Sequence, residues 1–303
     1  MTPVLPSAVR PRLVPGLALA TAVALALLAH SWLAVYLHIP GAVTPPPVSG
    51  TGPPVPGPGP VMPPREIRLE PPETRPLLAI VIDDFGWGVP GTAEMFALPY
   101  RITMAVLPGG PFTKSEARQA HENGHEVFLH LPMEPRGPLP ATPQFVTVNM
   151  TGEAIQALVR SYLLEVPEAT GVNNHMGSRA TADRRVARAV LEVVAEHGLI
   201  FVDSRTWPQS VMAEVAAELG IPAAVNQVFL DNIREADAIT QRLWEGAALA
   251  ERHGRALVIG HVHPVMAQVL AEEIPRLEAA GIAVVPASRV VNWDVDPPRP
   301  RLP

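Results

Sequence analysis

The sequence predicts a mostly parallel α/β fold over residues 77–291. Six short apolar runs, from LLAIVID at Leu77 to GIAVVP at Gly281, alternate with stretches of helical periodicity. Strands that alternate with helices in this way form parallel sheets. Several helical stretches end at a glycine such as Gly254, which is typical of a left-handed helix C-cap. An open doubly wound sheet and a barrel both fit this count, and both hold their active sites at the carboxyl ends of the strands.

The composition excludes several classes of function. The chain has 303 residues, no cysteine and a formal net charge of -6. Without cysteine there are no disulfides, thiolate nucleophiles or cysteine zinc sites. The negative net charge argues against a nucleic-acid partner. No Gly-x-Ser-x-Gly elbow surrounds Ser178, and no Gly-Lys-Ser/Thr follows Gly110, so neither a serine-hydrolase elbow nor a phosphate loop is present.

The amino-terminal residues predict a membrane anchor. Arg10 and Arg12 precede an uncharged stretch, residues 13–37, that is long enough to cross a bilayer as one helix. The positive flank predicts that residues 1–12 are cytoplasmic and that the remainder faces the periplasm, as a single-pass protein of the inner membrane. A cleaved signal peptide that releases the protein to the periplasm is the alternative.

Two segments flank the predicted folded domain. Residues 38–76 are rich in proline, which fixes φ and removes backbone donors, so we expect an extended linker here. Residues 292–303 are expected to form a disordered tail. The folded domain is therefore predicted to span residues 77–291.

Chemically active side chains follow most of the apolar runs. They are Asp83 and Asp84, His130 with Glu134, Asn173, Asn174 and His175, Asp203, Asp231, and His261 with His263. Because the carboxyl ends of parallel strands meet at one edge of a sheet, we expect these side chains to gather there.

Asp83 and Asp84 are adjacent carboxylates that repel each other when buried, unless a positive charge lies beside them. One aspartate with two histidines and an open position suits Zn²⁺ or a similar ion. The second aspartate could then act as a base toward water. The alternative is that one aspartate caps the loop-like FGWG segment that follows.

The strand-end motifs resemble the divergent polysaccharide deacetylase family, within the superfamily of carbohydrate esterase family 4. The segments IDD, GHEVFLHLPME, NNHMGS, FVDSRT, FLDN and IGHVHP carry this resemblance, which covers residues 77–291. It implies a distorted (β/α) barrel of the polysaccharide deacetylase type. It also implies a metal-dependent deacetylase ancestry.

The resemblance assigns the metal ligands of this site. Asp84 and His130 match two ligands of the superfamily. Glu134 stands where the superfamily has a second histidine, and NNHMGS replaces its Arg-Pro-Pro-Tyr-like motif. His175 is therefore the expected third ligand, with Glu134 as the alternative, and the expected cofactor is a divalent metal, Zn²⁺.

The resemblance also assigns the catalytic groups. Asp83 matches the base, His261 matches the general acid, and Asp203 matches the acid that orients this histidine. Further residues are expected to bind the sugar: Asn173, Asn174 and Ser178 through its hydroxyls, and Trp87 and Trp207 by stacking on its ring.

These assignments predict a metal-dependent deacetylase of an acetylated cell-envelope glycan, either peptidoglycan or an N-acetylglucosamine polymer. The alternative is a catalytically weak or inactive glycan-binding module. Glu134 and the replaced Arg-Pro-Pro-Tyr motif favour that alternative.

Overall fold

The computed structural model describes residues 74–291. The predicted anchor at residues 13–37, nearly all of the proline-rich linker and the predicted tail at residues 292–303 lie outside the described residues. Within residues 74–291, no helix is both long and apolar enough to cross a membrane.

Strands and helices alternate along the described part of the chain, as the sequence predicts. The strands are β1 (Leu77–Phe85), β2 (Thr103–Val106), β3 (Glu126–Met133), β4 (Gly171–Met176), β5 (Ile200–Asp203), β6 (Ala223–Val225), β7 (Val228–Phe229), β8 (Arg255–His261) and β9 (Ala283–Val285). The α-helices are α1 (Thr92–Phe96), α2 (Thr113–Glu122), α3 (Gly152–Glu165), α4 (Arg184–Glu196), α5 (Met212–Glu218), α6 (Ala236–His253) and α7 (Pro264–Ala279). Two short 3₁₀ helices span Ala180–Ala182 and Ala287–Arg289.

Side chains at the helix ends explain several boundaries. The Thr151 hydroxyl accepts a hydrogen bond from the Ala154 amide at the start of α3. The Asp183 carboxylate accepts from the Arg185 and Val186 amides at the start of α4. Gly254 ends α6 with φ 80°, a left-handed conformation that glycine adopts readily.

The strands form one parallel sheet in the order β6-β5-β4-β3-β2-β1-β8-β7, and β9 also pairs with β1. β6 and β7 lie at opposite ends of this order, yet only Asn226 and Gln227 separate them in the chain. The Asn226 amide donates to Asp203 O on β5, and the Gln227 amide donates to Leu257 O on β8. The sheet is therefore a curled half-barrel, which confirms the parallel α/β prediction and excludes a flat doubly wound sheet.

Both faces of the sheet are apolar. Leu78, Ile80 and Ile82 of β1 pack against the helices, whereas Ala79 and Val81 belong to a second cluster in the interior of the curled sheet. This strict alternation is a consequence of strand geometry. It explains why β1 appears as a continuous apolar run in the sequence.

The amino ends of the strands are covered by the segment that follows β9. The Ala287 amide donates to the Thr103 hydroxyl, and the Ser288 amide donates to the Glu126 carboxylate. Thr103 also donates to Glu126, so the buried Glu126 carboxylate accepts hydrogen bonds from both Thr103 and Ser288. Ala287 and Val290 add to the interior cluster. The opposite edge of the sheet, at the carboxyl ends of the strands, carries the candidate site.

Candidate active site

β1 ends in an irregularity that turns two consecutive carboxylates toward the same place. Ile82 pairs with Met104 and Phe85 pairs with Val106, so β1 contains one more residue than β2 over this interval. Asp84 has φ 75°. Adjacent side chains on a regular strand point to opposite faces. Here an Asp83 oxygen lies 3.6 Å and an Asp84 oxygen 3.4 Å from the same atom, Nε2 of His130.

The register of β3 and β4 brings two imidazoles to this point. His130 pairs with Asn173, and His175 lies opposite Pro132, two residues further along both strands. Nδ1 of His175 lies 3.1 Å from Nε2 of His130 and 3.1 Å from Oδ1 of Asp84. Within residues 74–291, Asp84, His130 and His175 are the group whose potential ligand atoms converge.

Asn173 fixes the protonation of His130. Its amide nitrogen donates to Asp83 Oδ1 over 2.8 Å, so its oxygen is the atom that lies 2.9 Å from Nδ1 of His130. An amide oxygen only accepts, so Nδ1 of His130 carries the proton. In the neutral ring, Nε2 then presents a lone pair toward Asp84.

This arrangement fits a divalent cation. The Oδ1 atom of Asp84 is buried and has no hydrogen-bond partner, although two ring nitrogens lie near it. The three distances among the ligand atoms of Asp84, His130 and His175 are 3.1, 3.1 and 3.4 Å. Ligand atoms around a tetrahedral Zn²⁺ lie about 3.3 Å from one another, given metal–ligand distances of about 2.0–2.1 Å. The donor set and its spacing therefore match such an ion.

The electrostatics of the site also favour a positive charge. Burial alone would raise the pKa of Asp84, but His130 and His175 hold that pKa well below its ordinary value. Burial would lower the pKa of His130, but Asp83 and Asp84 outweigh this effect and raise it. The pKa of Asp83 is raised by burial, against the opposing influence of His130 and His261.

His261 lies beside this cluster because β8 is the neighbour of β1. The two strands pair in parallel, with Asp83 opposite His261. Nδ1 of His261 donates to Asp231 Oδ1 over 2.9 Å, and the backbone amide of His261 lies 3.2 Å from Oδ2. Burial lowers the pKa of His261, but Asp231 first, and then Asp84 and Asp83, raise it to about 9.

A second imidazole flanks Asp231. His263 caps α7 by accepting a hydrogen bond from the Met266 amide at Nδ1, so its proton lies on Nε2. That nitrogen lies 3.3 Å from Asp231 Oδ2. Despite burial, His261 and His263 hold the pKa of Asp231 well below its ordinary value. Asp231 is therefore an anion between two imidazoles.

The expected role of Asp203 is corrected by the structure. Phe201 packs on the helix side of β5, whereas Ile200 and Val202 face the interior. By strand alternation Asp203 shares the side of Phe201, and its carboxylate accepts from the Arg205 amide instead of contacting His261. Asp231 follows interior-facing Phe229 by two residues and takes the orienting position.

Two of the predicted sugar ligands are also corrected. Asn173 is completely buried and uses its side chain to join His130 to Asp83. Asn174 is buried as well, since its oxygen accepts from the Ser204 amide and its nitrogen donates to Met176 O. Both amides organise the strand ends, and neither is available to a sugar hydroxyl.

The other predicted sugar ligands lie on loops at the carboxyl edge. The Ser178 hydroxyl accepts from the Arg136 amide. The Arg136 guanidinium lies 4.2 Å from the centre of the Trp207 ring. Trp87 is half-buried in the loop after Asp84, and its indole nitrogen has no partner. Sugar stacking on Trp87 and Trp207 stays a prediction.

Glu134 does not contribute to the converging group. Its carboxylate accepts from the Val148 amide over 2.8 Å and pairs with the Arg179 guanidinium over 2.8 Å. It therefore holds the loop that follows β3. Of the two third-ligand candidates raised by the sequence, the geometry favours His175.

The fold and the site together define a deacetylase-like protein. The chain belongs to the divergent polysaccharide deacetylase family, whose sequence model matches residues 80–291. This confirms the family resemblance of the strand-end motifs.

Relatives in two bacteria share this domain. The uncharacterized protein YibQ of Escherichia coli K12 is 35% identical over 215 residues, which cover 71% of this chain and 67% of YibQ. An uncharacterized protein of Haemophilus influenzae is 31% identical over 223 residues, covering 74% of this chain and 80% of the relative. The crystal structure of an uncharacterized protein from Agrobacterium tumefaciens C58 has the same fold, with a TM-score of 0.68 and 22% identity over 74% of this chain and 92% of that one.

Proposed function

We propose that the protein is a metal-dependent hydrolase that removes acetyl groups from a cell-envelope glycan. The observation that carries this proposal is the convergence of Asp84, His130 and His175 around one orphaned carboxylate oxygen. Asp83 and His261 stand opposite each other on the adjoining strands and add a base and an acid. A binding site alone does not need both of these groups.

Asp84, His130 and His175 would hold the cation. A divalent ion at this position, with zinc the best match to one carboxylate and two imidazoles, would supply Lewis-acid activation of an acyl carbonyl and of water. Asn173 keeps the Nδ1 proton of His130 in place, which leaves Nε2 free to act as a ligand.

Asp83 is the proposed base. Its Oδ1 atom accepts a hydrogen bond from Asn173, which fixes the orientation of the carboxylate. Its Oδ2 atom makes no such bond to the amide and can take a proton from an attacking water. Burial raises the pKa of Asp83, which strengthens it as a base compared with an exposed aspartate.

His261 is the proposed acid. Because Nδ1 is engaged by Asp231, Nε2 is the nitrogen that can donate a proton to the departing amine or hydroxyl group. A pKa of about 9 keeps this imidazole protonated at neutral pH. Proton donation converts a poor leaving group into a neutral one as the acyl bond breaks.

The location and the glycan belong to the same proposal. The apolar stretch at residues 13–37 and the proline-rich linker support a domain held at the periplasmic face of the inner membrane. Peptidoglycan and N-acetylglucosamine polymers are the acetylated glycans expected there.

The test is acetate release by the purified full-length protein, loaded with Zn²⁺, from peptidoglycan and from N-acetylglucosamine oligomers. We expect release by the wild type and its loss in Asp83→Asn and His261→Asn. If the metal-loaded wild type released no acetate from any of these glycans but bound one of them, the protein would be a glycan-binding module instead.

A further inference from the structure

Glu116 lies in the first turn of α2, and its side chain contacts the loop that follows β1. Its side chain is only 6% exposed. One carboxylate oxygen accepts from the Gly86 amide over 2.5 Å, and the other accepts from the Gly88 amide over 3.1 Å. Glu116 therefore holds two backbone donors, on either side of Trp87, in the loop that begins two residues after the candidate metal ligand.

The backbone at the end of β1 and in the loop that follows it needs such support. Asp84 has φ 75°, in a region that residues with a side chain rarely occupy. Such conformations persist where the surrounding contacts hold them in place. Gly86 has φ 105°, and a Cβ atom at this position would lie 2.5 Å from Leu107 O, so the loop runs directly against the end of β2.

Backbone contacts tie the loop at further points. The Leu107 amide donates to Phe85 O over 2.8 Å, and the Phe112 amide donates to Gly86 O over 3.1 Å. Glu116 is the side chain that completes this set of contacts, since it binds the two amides that face α2.

The chemistry of the contact requires a carboxylate. An ionised carboxylate has two oxygens that only accept hydrogen bonds, so it can bind both amides at once. A glutamine of the same size has one accepting oxygen, and its NH₂ group would face one of the amide donors. Glutamate and glutamine therefore differ at this position in their capacity to hold the loop.

We propose that Glu116 is a positioning residue that holds Asp84 in its left-handed conformation and thereby sets the affinity of the Asp84–His130–His175 site for a divalent cation. This inference rests on the proposed function, because it assumes that these three residues bind a metal. Glu116 itself is not a ligand, since its two oxygens are occupied by Gly86 and Gly88.

Glu126 provides a matched control. It is also a buried glutamate, 9% exposed, and its carboxylate accepts from the Thr103 hydroxyl and the Ser288 amide. It lies at the amino ends of the strands, away from the candidate site. Glu126→Gln removes the charge of another buried carboxylate without changing the loop that holds Gly86 and Gly88.

The experiment measures Zn²⁺ and Co²⁺ binding to the full-length protein after removal of metal with a chelator. The variants are Glu116→Gln, Glu116→Asp and Glu126→Gln, with unfolding temperature as a second readout. We expect Glu116→Gln to raise the metal Kd about tenfold, the low end of the range for residues that support a metal ligand, because Glu116 acts on Asp84 through the backbone. The visible spectrum of bound Co²⁺ should change with it. Glu126→Gln should leave the metal Kd unchanged, since Thr103 and Ser288 bind the same oxygen of Glu126 and the one accepting oxygen of glutamine can keep both contacts.

Glu116→Asp covers the case in which the glutamine variant does not fold. It keeps the charge but is one methylene shorter, so it can reach at most one of the two amides, and the metal Kd should rise here too. Metal binding by the wild type with an unchanged Kd in the folded Glu116 variants would overturn the role of Glu116 and leave the proposed function standing. Absence of metal binding in the wild type would overturn both.

Discussion

Nδ1 of His261 lies 2.9 Å from Oδ1 of Asp231, and the Asp231 carboxylate is almost completely buried. The imidazole is thereby fixed in orientation and its pKa is raised to about 9. β8 also places His261 opposite Asp83, so the register of β1 and β8 brings the proposed acid next to the proposed base.

Replacing Asp231 should therefore impair turnover without loss of metal. In Asp231→Asn the amide oxygen can still accept from His261, but the negative charge that stabilises the imidazolium is absent. We expect kcat to fall on the order of 10²-fold, within the usual contribution of a general acid. Acetate release and metal content of the same preparation measure the two effects. Asp203→Asn is the matched control, and an equal loss in that variant would contradict the assignment of Asp231.

The pH dependence of activity should show an alkaline limb set by His261. His261 must be protonated to donate, and Asp231 is the leading cause of its raised pKa, so activity is present below that pKa and is lost as the pH rises through it. In Asp231→Asn the main cause of the raised pKa is removed, so this limb should move to lower pH. A pH profile of kcat for both proteins tests this, and an unmoved limb would mean that another group titrates there.

The two adjacent aspartates should differ in their effects. Asp84→Ala removes the orphaned oxygen that faces both imidazoles, and we expect it to abolish metal binding. Asp83→Asn should keep the metal and lose turnover, because Asp83 is the proposed base. Mass spectrometry of the metal content and acetate assays on both variants measure these outcomes. Full activity of Asp83→Asn would show that its carboxylate is not the base.

Packing in the interior of the sheet should limit substitution at Gly171. A Cβ atom at this position would lie 2.6 Å from the Phe128 ring and 2.7 Å from the Ile200 side chain. We expect Gly171→Ala to lower the free energy of unfolding by about 1–3 kcal/mol through overpacking. Gly152→Ala is the control, since its nearest neighbour would be 3.9 Å away at Ala189. Thermal unfolding of both variants measures the difference, and equal unfolding temperatures would contradict the overpacking argument.

The alternation of apolar runs with helical periodicity was sufficient to predict the parallel fold, because the long strands are apolar and several helices end near a glycine such as Gly254. It could not predict how the sheet curls. β6 and β7 are only three and two residues long, and their partners are set by tertiary contacts of Asn226 and Gln227.

In the candidate site, too, some features could be predicted from the local sequence and others depend on tertiary contacts. The strand-end positions of Asp84 and His130 were readable from the sequence, since both stand at the ends of apolar runs, whereas His175 follows the polar Asn173 and Asn174 and was assigned through the family resemblance. The choice between Asp203 and Asp231 was not readable from the sequence, because β5 is buried on both faces and its apolar residues do not reveal which side faces the interior. Asn173 was likewise visible as a polar residue, but its two hydrogen bonds depend on the register of β3 with β4.

The position of β1 has a consequence for how the domain is made. This first strand pairs with β2, but also with β8 and β9, where Leu77 lies opposite Arg255 and Ala283. Contacts between such distant parts of a chain close large loops and slow folding. During synthesis from the amino terminus, Asp83 and Asp84 are made early, but the strand that carries His261 follows much later. A nascent or truncated chain that ends before Arg255 therefore carries both carboxylates without the strand that completes the site, and catalytic competence should arise only when nearly the whole domain has been made.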